Sequence, residues 1–313
     1  MATARQWQSR AAGTWLNHKA AVKTYLAFSN HLGLDPAHLH HAVLCVFIEY
    51  LNLHVAAPSS ISNQVSAVRV FMALAGYPTQ EAYHPRVVRS LEALHRNKGY
   101  VPNVKDPVPM GILRQVVLGL NKSPEHRLAK AALLIQFYGA LRKSEVCPPT
   151  IKRFKSTCHL TREDVSLEGG KLTLVIKAAK NMQRTDQRRK IVLESAQDKD
   201  LCVVEAAKAA MAVSPTIKTT DPFLMFPSRE PVPFTHVEKV WAAALRDMGI
   251  KDRKFTLHCL RSAAATEAFE EGVPELDIQK YGGWRSTVHR QYIRRSNNVK
   301  VNKSLIRSLK HKT

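Results

Sequence analysis

The amino-acid sequence predicts a mainly α-helical protein with one small antiparallel β-sheet, an α+β fold in two domains. Apolar residues recur at helical spacing through most of the 313 residues. Only the region 160–194 changes to the alternating pattern of strands. A stretch with two prolines near residue 100 separates a first group of helices from the rest of the chain. These three observations together indicate two domains joined by a linker.

The first domain, residues 1–98, is predicted to be a compact bundle of four or five helices. Turn residues such as Gly33, Pro58 and Gly76 separate its apolar-periodic segments. The linker, residues 99–108, contains Pro102 and Pro107, and Pro107 also biases the preceding residue away from helix. The helices are predicted near 13–33, 37–55, 59–76 and 84–97.

The second domain, residues 109–313, is predicted to enclose a three-stranded sheet between helices. A hairpin around Gly169-Gly170 and a third strand from Arg189 to Leu193 form the sheet, and Pro124 suits the first turn of a helix. The helices are predicted near 109–120, 124–140, 198–213, 235–248, 257–271, 274–281, 286–296 and 301–310. The last helix carries apolar residues at helical spacing, namely Val301, Leu305, Ile306 and Leu309.

The charge of the chain predicts a polyanionic partner. A formal net charge of +22 and a pI near 10.0 favour nucleic acid through counterion release. No apolar run of about 18 residues predicts a membrane span, and the N-terminus lacks the apolar region of a secretory signal. Five scattered cysteines fit reduced thiols, and none has the spacing of a familiar zinc site. We therefore expect an intracellular protein that associates with nucleic acid and has neither a metal site nor a membrane partner.

A group of residues near the C-terminus predicts a site for a phosphodiester. His258 and Arg261 stand one helical turn apart, so their side chains point the same way. A Gly-Gly break follows, and then Trp284 and Tyr292. Histidine, arginine and indole N–H groups can donate to phosphate oxygens, while a tyrosine hydroxyl is a candidate nucleophile. Each of the four residues, taken singly, also fits an ordinary structural role.

Arg142 and Glu145 extend this group from further upstream. Arg142 follows a glycine that interrupts a helix, and its planar guanidinium fits two oxygens of a phosphate. Glu145 stands one turn later, where it can hold that arginine in place. The same two residues also fit an ordinary Arg–Glu helix pair.

The order Arg142, His258-x-x-Arg261, Gly-Gly-Trp284 and Tyr292 resembles the signature of the tyrosine recombinase, or phage integrase, superfamily. Tryptophan at position 284, where histidine is commoner, resembles Cre-like members. The resemblance covers essentially the whole chain. It implies a helical core-binding domain that clamps DNA, a linker, and a catalytic domain that ends in a tail helix.

The resemblance also implies a reaction. Tyr292 would attack a scissile phosphate and form a 3′-phosphotyrosyl link, and strand exchange would proceed through a Holliday junction. Arg142, His258, Arg261 and Trp284 would stabilise the transition state. No metal ion, ATP or other cofactor would be required. A lysine near the β-hairpin would act as general acid, for which Lys180 fits best.

The resemblance also implies a second candidate for the general acid, a DNA partner and an oligomeric state. Lys177 is the second choice for the general acid. The expected partner is a double-stranded DNA recombination site, bound by a homotetramer in the synaptic complex, whereas the free protein would be a monomer or dimer. The tail helix would dock on a neighbouring subunit or on its own domain. Four arginines would contact DNA, namely Arg285, Arg290, Arg294 and Arg295.

Three alternatives stay open at this point. A type IB topoisomerase uses a closely similar constellation of residues. A catalytically idle DNA-binding protein could share the fold, and a basic helical scaffold could bind nucleic acid without chemistry. The segment 148–161 differs from compact bacterial members of the superfamily and favours a mobile-element protein.

Overall fold

The computed structural model describes residues 6, 12–55, 57–97, 106–177, 188–250, 255–284 and 286–293. The chain forms two compact units, Met1–Val104 and Lys105–Thr313. Each unit has a hydrophobic core of its own. The described residues are mainly helical with one small antiparallel sheet, so the predicted fold class is confirmed.

The first unit is a helical bundle around an aromatic cluster of Tyr25, Phe28 and Phe47. Its second helix begins later than the predicted residue 37, because His40 has an extended backbone and its Nδ1 accepts the Ala42 amide at 3.3 Å. The elements of this unit are α1 (Ala12–His31), α2 (His41–His54), α3 (Pro58–Ala75), a 3₁₀ turn (Gln80–Tyr83) and α4 (Pro85–Asn97).

The second unit is built around one helix that is buried on all sides. This helix is α6, and each of its residues from Leu128 to Phe137 is buried. Pro124 occupies its first turn as predicted, and the Ser123 hydroxyl caps it by accepting the His126 amide at 3.2 Å. The helices of this unit are α5 (Met110–Gly119), α6 (Pro124–Tyr138), α7 (Lys143–Val146), α8 (Val203–Met211), α9 (Phe234–Asp247), α10 (Leu257–Glu270) and α11 (Glu275–Gly282).

Two predicted helices of the second unit differ in extent. Helix α8 starts five residues after the predicted 198, since the Asp198 carboxylate accepts the Asp200 amide at 3.0 Å and holds a turn there. The helix predicted at 286–296 is a 3₁₀ turn, Thr287–Gln291, in its described part. The tail helix predicted at 301–310 lies outside the described residues.

The sheet consists of β1 (Val165–Glu168), β2 (Lys171–Ile176) and β3 (Arg189–Glu194), paired antiparallel in that order. Gly169 and Gly170 connect the first two strands with φ of 55° and 73°, the left-handed backbone that a two-residue hairpin turn needs. One face of the sheet packs on the core through Leu172, Leu174, Ile176, Ile191 and Leu193. The predicted hairpin and third strand are confirmed. No helix in the described part of the chain is both long and apolar enough to span a membrane.

Candidate active site

Arg142 is positioned by a sharp turn at the end of α6. The helix ends at Tyr138, and Ala140 adopts a φ of 44°, which is rare for a residue with a side chain. Arg142 then caps α7 with an extended backbone. Glu145 holds it twice, since its carboxylate accepts the Arg142 amide at 2.7 Å and the Arg142 guanidinium at 2.9 Å. Because Glu145 is buried, this contact is more than a surface ion pair.

Arg261 projects from α10 into the core and is fully buried. Its Nη1 donates to the carbonyl of Ala140, and its Nη2 donates to the carbonyl of Gly282 at 2.8 Å. The same Nη1 lies 3.8 Å from a Glu145 carboxylate oxygen, so that carboxylate stands between Arg142 and Arg261. Arg261 therefore joins the turn before Arg142 to the end of α11.

Burial and charge both act on the guanidinium of Arg261. Its pKa is lowered to about 10, chiefly by burial and next by the positive charge of Arg142, whereas Glu145 opposes the shift. At neutral pH the group still carries its proton. A buried cation that, among the described residues, has Glu145 as its one nearby carboxylate offers strong electrostatic attraction to an incoming anion.

The Gly282-Gly283 turn brings Trp284 back under the end of α11. Gly283 has a φ of 67°, which glycine adopts without strain. Gly282 has no room for a side chain, since a Cβ there would lie 1.7 Å from Cζ3 of the Trp284 ring. The ring is buried against the Arg261 guanidinium, with 4.2 Å between Cζ and the ring centroid. The indole Nε1 is buried and has no hydrogen-bond acceptor among the described residues.

Tyr292 closes the group. Its carbonyl accepts the Thr266 hydroxyl of α10 at 3.2 Å, which fixes the chain after the last 3₁₀ turn. The Tyr292 ring lies edge-on to His258, with centroids 5.5 Å apart, and 5.1 Å from the Trp284 ring. The Arg261 Cζ lies 5.5 Å from the same ring. Side chains that are far apart in the sequence thus surround one phenol.

His258 is exposed at the edge of this cluster, and its environment favours the neutral imidazole. Partial burial lowers its pKa, and the positive charges of Arg261, Arg142 and Lys143 lower it further. A neutral imidazole beside a phenol can accept a proton from it. The cluster as a whole therefore combines a hydroxyl group, a base and several cations, which suits attack on a phosphate ester.

Five further basic residues were predicted for catalysis or DNA binding. Lys180, Arg285, Arg294 and Arg295 lie outside the described residues. Arg290 is largely exposed, and its Nε donates to Glu275 at 2.8 Å.

Lys177, the second choice for the general acid, is buried in an ion pair. Its Nζ lies 2.5 Å from a carboxylate oxygen of Asp164 and 3.0 Å from the Thr161 hydroxyl. This pair joins the end of β2 to the 3₁₀ turn (Arg162–Asp164) that precedes the sheet.

Sequence reasoning assigned Arg189 only to a strand, yet its guanidinium reaches the turns that precede Arg142 and Trp284. Nη2 lies 3.5 Å from the Gly139 carbonyl, and a Cβ on Gly283 would lie 1.9 Å from Nη1. A signal for this position exists in the sequence. Arg189 is in phase with Ile191 and Leu193, which are the inward-facing residues of β3.

His289 was also missed. It is buried, its ring lies 6.4 Å from the ring of Trp284, and its Nε2 is 3.6 Å from a carboxylate oxygen of Glu275.

The fold and this cluster define a helical enzyme-like domain with a tyrosine-centred, cationic site. The sequence profile of the phage integrase family matches residues 114–298, more than half of the chain. The chain belongs to the phage integrase family. A comparison with curated protein sequences found no match.

Solved structures of similar fold include three DNA-acting proteins. A Tn1549 transposon integrase in complex with transposon right end DNA is 12% identical, with a TM-score of 0.64 and coverage of 97% of this chain and 96% of that one. A lambda integrase dimer bound to a COC′ core site is 14% identical, with a TM-score of 0.62 and coverage of 93% and 92%. The XerH site-specific recombinase bound to difH substrate is 14% identical, with a TM-score of 0.57 and coverage of 86% and 71%. At these identities the likeness concerns the fold.

Proposed function

We propose that this protein is a site-specific DNA recombinase that cuts and rejoins strands through a 3′-phosphotyrosyl intermediate at Tyr292. The observation that carries the proposal is the arrangement around that phenol. His258, Trp284 and Arg261 each lie within 5.5 Å of its ring centroid, measured to a ring centroid or to the guanidinium carbon. Arg142 joins them through the shared carboxylate of Glu145.

The first step forms a bond between the Tyr292 hydroxyl oxygen and phosphorus and breaks the bond from phosphorus to the 5′-oxygen. His258 accepts the phenolic proton, because its lowered pKa keeps it neutral near pH 7. Negative charge then grows on the non-bridging oxygens. Arg142 and Arg261 neutralise it, and the unpaired Nε1–H of Trp284 donates to one oxygen.

The departing 5′-oxygen needs a proton, and we assign this step to Lys180. Lys177 is less suited because its ammonium is held by a buried carboxylate and a hydroxyl. The 5′-hydroxyl of a partner strand then attacks the phosphotyrosine and restores the phosphodiester. The free energy of the broken bond is retained in the intermediate, so the cycle needs neither ATP nor a metal ion.

The proposed partner is a double-stranded recombination site, with a homotetramer in the synaptic complex. The charge of +22 supports a polyanionic partner. The lambda integrase of similar fold was solved as a tetramer bound to a Holliday junction, at 14% identity, a TM-score of 0.63, and coverage of 94% and 77%. The transposon integrase of similar fold supports a role in a mobile element. By the same reasoning we place the protein on DNA inside the cell.

The domain division belongs to the same proposal. Residues 1–98 would clamp the duplex as the core-binding domain, residues 99–108 would be the linker, and residues 109–313 would form the catalytic domain. The Trp284-containing motif would place the chain near Cre-like members.

Trapping of the covalent intermediate tests the proposal. A pool of nicked duplexes with randomised flanks is incubated with the protein, and adducts are separated on denaturing gels and sequenced. We expect an adduct that is lost in Tyr292→Phe. Tyr281→Phe is the matched control, since this nearby phenol donates to the Tyr138 carbonyl and faces no substrate in the proposed mechanism. An adduct that persists in Tyr292→Phe contradicts the assignment.

Two further measurements separate the alternatives. Relaxation of supercoiled DNA by the monomer, without strand exchange between duplexes, would favour a topoisomerase. Lys180→Ala should block cleavage of the natural substrate but spare one with a 5′-thio leaving group, which needs no protonation. Equal loss on both substrates would remove Lys180 from the acid role.

A further inference from the structure

The proposed catalytic groups Arg142 and Trp284 each follow a turn of the chain. Two arginine side chains, those of Arg261 and Arg189, each reach both turns. The first turn, Gly139-Ala140, precedes Arg142, and the second, Gly282-Gly283, precedes Trp284. Arg261 bridges the carbonyls of Ala140 and Gly282.

Arg189 reaches the other residue of each turn. Its Nη2 lies 3.5 Å from the carbonyl of Gly139. Its Nη1 stands where a Cβ of Gly283 would be, at 1.9 Å from that position. Arg189 and Arg261 therefore both contact the same two turns, and we call each of them a brace. One comes from α10, and the other comes from the first residue of β3.

We infer that Arg189 is a positioning residue of the strand-transfer site, because its guanidinium sets the spacing between the turn before Arg142 and the turn before Trp284. This inference rests on the proposed function. The contacts of its guanidinium are with the two turns, so Arg189 is placed to act on the orientation of the phosphate-binding groups.

The surroundings of Arg189 are consistent with such a brace. Burial lowers its pKa, Glu145 and Arg142 act on it with opposite signs, and the Tyr281 phenol lies close enough to influence it. The Tyr281 hydroxyl in turn donates to the carbonyl of Tyr138, the residue before the first turn. Burial and these neighbours leave the guanidinium facing the two turns.

Two separate features favour glycine at position 283, and the position of the Arg189 guanidinium is one of them. Its φ of 67° disfavours any L-residue, and the space a Cβ would occupy is filled by the Arg189 guanidinium. Gly249 has a φ of 70° but nothing within 4 Å of its Cβ position. It shares the backbone conformation without the contact, and so provides a matched control.

The first test changes the guanidinium. In Arg189→Lys the charge stays but the planar fork is lost, so we expect duplex affinity near wild type and a cleavage rate constant at least tenfold lower on a nicked suicide duplex at saturating protein. A misplacement of about 1 Å in a catalytic group lowers rates by up to about a hundredfold. The control is Lys190→Met, which removes a cation from the exposed face of the same strand. A purely structural role would lower the folded fraction but leave the rate constant of folded, DNA-saturated protein unchanged.

The second test displaces the guanidinium without altering it. We expect Gly283→Ala to lower the cleavage rate constant at least tenfold, whereas Gly249→Ala leaves it within twofold. The loss in Gly283→Ala should shrink when Arg189 is also replaced by alanine, because the clash is then absent. This double-mutant cycle gives a decision even if Arg189→Lys folds poorly.

The outcomes separate the inference from the proposed function. If the wild type forms no covalent adduct, the proposed function fails. If the wild type forms the adduct but Arg189→Lys or Gly283→Ala cleaves at the wild-type rate constant, the positioning role is overturned and the strand-transfer function stands.

Discussion

Glu145→Gln tests the electrostatic design of the site, because this one carboxylate is shared by two guanidiniums. Its oxygens lie 2.9 Å from Nη1 of Arg142 and 3.8 Å from Nη1 of Arg261, and its side chain is only 2% exposed. Glutamine keeps the shape but removes the charge, and its amide donors then face donors of the arginines. The variant leaves two cations with less compensation in a desolvated site.

The expected loss of stability follows from burial. Removing one partner of a buried ion pair costs about 3–5 kcal/mol, since the other charge stays buried without compensation. We expect the lower end, about 3 kcal/mol, because the glutamine carbonyl still accepts the Arg142 amide. For a unit of this size the loss corresponds to a fall in Tm of about 6–12 °C. Glu194→Gln is the matched control, since its pair with Lys171 has the same 2.9 Å separation but lies on the surface.

DNA should reverse part of this loss. A phosphate bound between Arg142 and Arg261 supplies the missing negative charge, so the duplex should raise the Tm of Glu145→Gln more than that of wild type. By linkage, the variant should also bind the duplex more tightly. Thermal unfolding with and without duplex, together with a binding titration at fixed salt, checks both statements. A Tm equal to wild type in the free protein, or an equal rise with DNA in both proteins, would refute the reasoning.

Three further outcomes are expected. Trp284→Phe keeps the ring against Arg261 but loses the unpaired Nε1–H. The smaller ring leaves a cavity at a buried position, so the denaturation midpoint should fall. Measured on folded protein at saturating duplex, the single-turnover cleavage rate should fall about 10- to 150-fold, the loss of a hydrogen bond to a charged oxygen worth about 1.5–3 kcal/mol; an unchanged rate argues against this donor. The lowered pKa of His258 means that its contribution to stability is present above the unfolded-state value of about 6.5 and is lost as pH falls through the lower folded-state value. His258→Gln should therefore lose less stability between neutral and acidic pH than wild type in denaturant titrations, and parallel curves would contradict this. Gly282→Ala places a methyl 1.7 Å from a Trp284 ring atom and should destabilise by about 1–3 kcal/mol, whereas Gly119→Ala, which meets open space, should not. Chemical denaturation compares the two, and equal midpoints would show that the ring can move.

Much of the fold could be predicted from local patterns. The hairpin at Gly169-Gly170 was accessible because its turn requires left-handed backbone, which glycine supplies. Helix starts were predicted less well, since His40 and Asp198 make side-chain hydrogen bonds to backbone amides two residues later, and the helices begin after these residues. Those hydrogen bonds compete with helix extension, and the spacing of apolar residues does not reveal them.

Part of the candidate site could also be predicted from local patterns, and part of it could not. His258 and Arg261 could be paired from sequence because one helical turn separates them. The sharing of Glu145 between Arg142 and Arg261 could not, because it depends on how α10 packs against the end of α6.

By itself, the sequence determined the helical architecture with its small sheet, the positive charge, and the residue types that suit attack on a phosphodiester. Periodicity, turn chemistry and composition are local properties, and they are written directly in the chain. Only the tertiary structure decided that Trp284 folds beneath Gly282 with an indole donor that has no acceptor among the described residues, and that the Arg189 guanidinium lies beside the two turns of the site. The physical reason is that these contacts join residues far apart in the sequence, so their distances are set by the packing of whole helices and strands.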